Sequence, residues 1–271
     1  MTENNEQNKT PMKGIYLLPN LVTTAALFSG FFAILAGMNG QFEKAAVAVF
    51  VAMILDGLDG RVARWTNTQS EFGEQYDSLS DLVSFGLAPA LVMYQWALVS
   101  MRDTSIAWGK LGWMAAFIYV ACAALRLARF NVQIEEVDKR YFIGLPSPSA
   151  AGIMVGMIWM LFDLDMQGKA LQVPALIMTI GAGLLMVSNI KYNSFKDFDI
   201  KSKVPHLTIL GVVLVFALVQ VDPPKVLFAV FFVYAMSGPF NWLKEKKFSK
   251  TMDKNTVSST NDTNTNDTKD S

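Results

Sequence analysis

The chain has 271 residues, 52% of them hydrophobic and only 17% charged, with acidic and basic side chains in equal number and a mean hydropathy of +0.31. A soluble domain carries about a quarter charged residues, so this composition points to an integral membrane protein, and the zero formal net charge gives no electrostatic case for nucleic acid. The single cysteine, Cys122, excludes an intrachain disulfide, and the single histidine, His206, excludes a multi-histidine site within one chain.

The opening MTENNEQNKTPMKG is polar and lacks the build of a secretory signal peptide. Residues 1–13 are expected to be a disordered N-terminus. Residues 250–271, rich in Asn, Thr and Asp, are expected to be a disordered tail, because they cannot bury enough apolar surface to order themselves. Residues 14–249 between them read as one membrane domain. A span needs about 20 mostly apolar residues. Candidate spans lie near 16–38, 42–60, 79–101, 110–130, 147–164, 171–190, 206–221 and 225–242. Lipid offers a backbone no hydrogen-bond partners, so these segments are expected to be helices. The expected fold class is an all-α integral membrane protein of about eight transmembrane helices. The fifth, seventh and eighth segments are short, which leaves six or seven spans open.

Lysine and arginine set the orientation. With eight spans, the termini and the even-numbered connections share a side. That side holds Lys9, Lys13, Arg61, Arg64, Arg126, Arg129, Lys139, Arg140, Lys191, Lys196, Lys201 and Lys203, besides the lysines of the tail. The other side holds only Lys44, Arg102, Lys110, Lys169 and Lys225. Positive charge stays in the cytoplasm, so the termini are expected there.

Four aspartates sit at that same edge. ILDGLDGRVAR carries Asp56 and Asp59, three residues apart, and GEQYDSLSDLVSFG carries Asp77 and Asp81, four apart. On helices each pair shares one face. The intervening connection makes the helices antiparallel neighbours, so the four carboxylates are expected to converge where the second and third spans end. Converging carboxylates repel, and burying one costs about 2.5–3.5 kcal/mol even on the mild insertion scale. Carboxylate oxygens suit Mg²⁺ or Mn²⁺, and two divalent cations would offset four negative charges. A metal pair about 4 Å apart is a common device for displacement at phosphorus. Gly57, Gly60 and Gly73 lie among the acids, where a missing side chain lets a bulky phosphorylated ligand approach the backbone. Helix-end charges in the headgroup layer would explain one such Asp; they are a poor account of two facing pairs with interleaved glycines.

The full string is Asp56-x-x-Asp59-Gly60-x-x-Ala63-Arg64, eight residues, Gly73, three residues, Asp77, three residues, Asp81. It resembles the signature of the CDP-alcohol phosphatidyltransferase family, with every fixed position present at the expected spacing. LPNLVTTAALFSGF, ALRLARFNV, FIGLPSPSAAG and NIKYNSFKDFD are similar to the serine-using branch of that family, so the resemblance covers the chain from about residue 16 to 200. It implies transfer of a phosphatidyl group from CDP-diacylglycerol to L-serine with release of CMP. It implies Asp56, Asp59, Asp77 and Asp81 as ligands of two divalent cations, with Asp81 also the general base that takes the proton of a weakly nucleophilic hydroxyl. It implies nucleotide contacts at Pro19, Asn20, Thr23, Gly60, Arg64, Ser70 and Gly73; for Asn20 and Thr23, ordinary interhelical hydrogen bonding is an equal alternative. A homodimer in the cytoplasmic (inner) membrane is also implied.

Serine carries a carboxylate, so a cation should meet it. Arg126 and Arg129, with Asn131 beyond them and Lys191 and Lys196 in a later connection, are the candidates for the acceptor or the phosphates. Cations at cytoplasmic helix ends also obey the positive-inside rule without any ligand, an explanation weakest for Arg126 inside an apolar run. The prolines of GLPSPSAAG shape a helix entry around Ser147. A family member using glycerol phosphate, inositol phosphate or choline is the nearest rival. A cation transporter is a distant one, because no chain of ionisable residues continues across the apolar segments.

Overall fold

The computed structural model describes residues 17–132, 141–193 and 206–264. Lys196, one of the acceptor candidates, lies outside the described residues, as do residues 1–13 and 265–271, while residues 250–264, expected as part of a disordered tail, are helical as the end of the last helix. The chain is mostly helical. It runs through α1 (Leu17–Met38), α2 (Phe42–Trp65), α3 (Glu71–Asp81), a π-helical stretch (Leu82–Leu87), α4 (Ala88–Trp96), a 3₁₀ stretch (Leu98–Asp103) and α5 (Ile106–Val132). Beyond these come β1 (Tyr141–Ile143), α6 (Ser147–Asp163), α7 (Gln172–Val187), β2 (Lys191–Asn193), α8 (His206–Val221) and α9 (Pro223–Asn264). Each expected apolar segment falls on one or more of these helices.

Among the described residues, four helices are long and apolar enough to cross a membrane: Leu18–Met38, Ile106–Val132, Gly168–Val187 and Pro223–Lys244. Ser147–Asp163 is a shorter apolar helix. The chain is therefore a membrane protein. The other expected spans fall outside this set for local reasons. α2 carries Asp56, Asp59, Arg61 and Arg64 in its last turns, the third segment is broken by the π and 3₁₀ stretches, and α8 has only 16 residues.

Two apolar clusters form the interior. The larger joins α4, α5, α6 and α7 around Met93, Leu98, Tyr119, Met154 and Met186. The smaller joins α1, α2 and α6 around Ala33, Val49, Ala52 and Val155. Many large apolar side chains stay exposed, including Phe28, Phe31, Ile54, Phe117 and Ile177. In a soluble protein that surface would aggregate; here it is the face a bilayer covers. Gly152 and Gly156 of α6 receive α9: a Cβ on Gly152 would lie 2.7 Å from the Phe231 ring, and one on Gly156 3.1 Å from the Phe228 backbone. Close helix approach through small residues is the usual packing device in lipid.

At the end of the bundle that carries the acids, β1 and β2 pair antiparallel, with Phe142 opposite Tyr192. Tyr192 is buried and donates its hydroxyl to the Ala235 carbonyl of α9 at 3.0 Å. This short ribbon ties the α5–α6 connection to the α7–α8 connection over that end of the helices.

Candidate active site

α2 and α3 deliver the acids. The connection between them turns at Thr66–Ser70, where Asn67 adopts φ 52°, a left-handed conformation that Asn tolerates better than most residues. Ser70 then caps α3, accepting the Gly73 N–H at 3.1 Å. This capped start sets the register that turns Asp77 and Asp81 toward α2.

The four acids converge as their spacing implies. Carboxylate oxygens of Asp56, Asp59 and Asp77 all lie within 4.8 Å of one another. Asp81 stands beside Asp56, their carboxyls in contact, and so are those of Asp59 and Asp77. Among the described residues, no Lys or Arg forms an ion pair with any of the four. Carboxylates so close repel unless a proton or a cation lies between them. Burial first, then the charges of Asp59 and Asp56, pushes the Asp77 carboxyl up from its ordinary value of 3.8 to about 7. An all-oxygen, multiply charged donor set with no ion pair to Lys or Arg among the described residues fits a hard divalent cation. The three carboxylates of Asp56, Asp59 and Asp77 could hold one.

A second layer steadies these ligands. Thr23 of α1 is buried and its hydroxyl lies 2.8 Å from Asp59 Oδ2 and 3.1 Å from the Pro19 carbonyl. Ser80 donates to the Thr23 carbonyl at 3.2 Å, binding α3 to α1. Ser78 and Asn131 exchange hydrogen bonds at 3.0 and 3.2 Å, binding α3 to the end of α5.

Beside the acids opens a cavity of about 120 Å³. Pro19, Asn20, Thr23, Gly60, Ser70 and Gly73 line it together with Asp59 and Asp77. A Cβ on Gly57 or Gly60 would meet nothing within 4 Å, so the α2 backbone is open to a ligand there. Gly73 differs: its Cβ would lie 3.2 Å from Ser70 Oγ and 3.6 Å from Asn20 Oδ1, so it is small to admit the cap. Arg64 is exposed and folds back onto its own helix, Nε donating to the Gly60 carbonyl at 2.9 Å. Ala63, a fixed position of the motif, also lines the cavity, as do Thr68, Gln69 and Glu74, which were not singled out from the sequence. Thr68 is buried, paired with Thr66 at 2.6 Å between hydroxyls. For Thr68 and Gln69 the one available signal was their place in the polar run WTNTQS, between the two acid pairs.

The two arginines of α5 divide. Arg126 is buried, donates from Nη1 to the Ser147 hydroxyl at the start of α6, and keeps a buried Nε with no hydrogen-bond partner among the described residues. Its charge acts on Asp81 and Asp56. Arg129 instead donates to backbone: the Ile143 carbonyl at 2.7 Å and the Val187 and Ser188 carbonyls at 3.4 Å, with Asn189 Oδ1 at 3.3 Å. It clasps β1 to the end of α7 and has little left for a ligand. Lys191 is exposed on β2, its backbone paired opposite Ile143.

Residues 16–189 of the chain match a family model described as CDP-alcohol phosphatidyltransferase. The chain belongs to that family. A CDP-diacylglycerol–serine O-phosphatidyltransferase of Helicobacter pylori (strain ATCC 700392 / 26695) is 36% identical over 238 residues, covering 86% of this chain and 94% of its relative. A protein of the same name from Methanocaldococcus jannaschii is 34% identical, covering 69% of this chain and 78% of that one. An archaetidylserine synthase of Methanothermobacter thermautotrophicus is 34% identical, covering 68% and 73%. The match to this family of phosphatidyltransferases makes the chain an enzyme, and the acid cluster its candidate catalytic centre.

Proposed function

We propose that the protein transfers the phosphatidyl group of CDP-diacylglycerol to the hydroxyl of L-serine, giving phosphatidylserine and CMP. The observation that carries this reading is the meeting of three parts at one end of the bundle. These are the four acids, the small cavity beside them lined by α1 and α2, and the buried Arg126 with an unmet donor. The relatives named for serine transfer support the choice of acceptor.

In this reading Asp56, Asp59, Asp77 and Asp81 hold two divalent cations, Mg²⁺ or Mn²⁺. When bound, these would neutralise the diphosphate and stabilise the departing CMP. The cavity lined by Pro19, Asn20, Thr23, Gly60, Ser70 and Gly73 takes the cytidine side of the donor, with Arg64 at its rim for phosphate. Arg126 receives the serine carboxylate through its Nε, a buried donor with no partner among the described residues. Asp81 accepts the hydroxyl proton as the serine oxygen bonds to the β-phosphorus. The bond from that phosphorus to the bridging oxygen breaks, and CMP leaves with the electron pair.

The same proposal places the site at the cytoplasmic ends of the second and third of eight spans in the inner membrane, in a single domain of residues 14–249 that pairs as a homodimer. The excess of Lys and Arg at that end supports the orientation. CMP release by the purified protein in detergent, with CDP-diacylglycerol and Mn²⁺, tests the function. L-serine, glycerol 3-phosphate, inositol phosphate and choline are compared, with Asp81→Asn alongside. Serine-dependent release that EDTA and Asp81→Asn both abolish is expected. Release with another acceptor would replace serine, and none with any acceptor would sink the transferase reading.

A further inference from the structure

The π-helical stretch begins at Leu82, the residue after Asp81. Its hydrogen bonds reach one residue further back than those of an α-helix: the Ala88 N–H donates to the Val83 carbonyl. Wide turns of this kind are rare and concentrate at functional sites. The local cause is in the sequence. Pro89 follows, and a proline has no N–H for the carbonyl four residues before it and crowds that carbonyl with its ring. The carbonyl in question is that of Phe85, fully buried in the bundle. A buried carbonyl with no donor is costly. Here it has one from another helix: Tyr119 of α5 donates its hydroxyl to Phe85 O at 3.0 Å. Tyr119 is itself fully buried, so this hydrogen bond is made away from water.

The rest of the wide turn is held as firmly. Ser84 donates to the Ala26 carbonyl of α1 at 3.2 Å. A Cβ on Gly86 would lie 3.3 Å from Ala123 of α5, so α5 presses closely against the turn. Tyr119, Ala123 and Arg126 fall at helical spacing along one face of α5. The face that grips the turn therefore also presents Arg126 toward Asp81.

We infer that Tyr119 is a positioning residue for Asp81: by donating to the Phe85 carbonyl that Pro89 leaves without a partner, it holds the wide turn open and so aims the Asp81 carboxylate. Tyr119 touches no substrate. The inference rests on the reading of Asp81 as the base, and the test separates the two. Tyr119→Phe keeps the ring and removes the donor. In the full-length protein in detergent, kcat for CMP release should fall about 10- to 100-fold, the loss that a misplaced reacting group brings. KM for serine and for CDP-diacylglycerol should stay within about threefold, and the acidic limb of the kcat–pH profile should move. Pro89→Ala restores a backbone N–H to the Phe85 carbonyl. The hydroxyl then becomes dispensable, so Pro89→Ala with Tyr119→Phe should match Pro89→Ala alone in kcat and in folded yield. That comparison also serves if Tyr119→Phe does not fold by itself.

A wild-type kcat and pH profile for Tyr119→Phe, with Asp81→Asn inactive, would overturn the inference and leave the base in place. So would a loss that follows folded yield alone, or one that Pro89→Ala does not relieve. Full activity in Asp81→Asn would instead overturn the base itself.

Discussion

Thr23→Val isolates the second layer of the acid cluster. Valine keeps the shape of threonine and removes only the hydroxyl that lies 2.8 Å from Asp59 Oδ2. Thr23 is buried, so water cannot replace the lost donor. A hydrogen bond to a charged group contributes about 1.5–3 kcal/mol, and about 1.4 kcal/mol is a factor of ten in affinity. Divalent-cation affinity should therefore fall about 10- to 100-fold, the range found when the partner of a metal ligand is removed. Calorimetric titration of Mn²⁺ into the purified protein without substrate reads this directly. The Mn²⁺ dependence of CMP release should shift to higher concentration by the same factor, with the saturated rate little changed. An Mn²⁺ affinity in folded Thr23→Val within about threefold of wild type would refute the reasoning, because Asp59 would then need no orienting partner.

Asp77 makes cation binding pH-dependent. Its carboxyl, pushed up to about 7 by burial and by Asp59 and Asp56, must lose its proton to become a ligand. Apparent Mn²⁺ affinity should thus fall as pH drops below about 7, and calorimetry in buffers of different ionisation enthalpy should detect proton release at pH 6 that fades by pH 8. The metal-free fold has the opposite preference. Its gain from protonated Asp77 is full below 3.8 and is lost as pH rises through about 7. Arg126→Gln and Arg129→Gln should separate cleanly. The first raises KM for serine by about tenfold or more; the second lowers the thermal midpoint and leaves that KM within about threefold. Gly238→Ala would set a Cβ 2.4 Å from the Tyr192 ring, which its own hydrogen bond to Ala235 holds in place. It should cost about 1–3 kcal/mol of stability, seen as a lower unfolding midpoint at unchanged kcat per folded molecule.

The acid cluster could be anticipated because its geometry is local. Spacings of three and four put Asp56 with Asp59, and Asp77 with Asp81, on single helix faces, and a short connection leaves the two helices no choice but to run side by side. The glycines show the limit of such reading. Gly57 and Gly60 do face open space, but Gly73 is small because the Ser70 cap closes on it, with Asn20 of α1 in ordinary contact beyond, a fit that exists only once the connection has folded. Thr68 and Glu74 went unnoticed for the same reason: they have no periodic or motif signal and enter the cavity only once the connection folds. The third apolar segment reads in sequence as one uniform span. Its wide turn sits just before Pro89, where the Phe85 carbonyl accepts from Tyr119 of α5, a partner 34 residues away.

By itself the sequence determined that this is a membrane protein, through composition, and that four acids gather at one edge of it, through spacing. Both follow from short-range rules, solvent preference and the pitch of a helix. Arg126 and Arg129 mark what only the tertiary structure decided. They lie one helical turn apart on the same helix with the same chemistry. Arg129 meets the carbonyls of Ile143, Val187 and Ser188, brought to it by β1 and by the end of α7, and is consumed as a clasp. Arg126 meets Ser147 and retains a buried donor beside the acids. The difference comes from partners 14 to 60 residues away in the chain, and which donor is left over for a ligand is set by those long-range contacts.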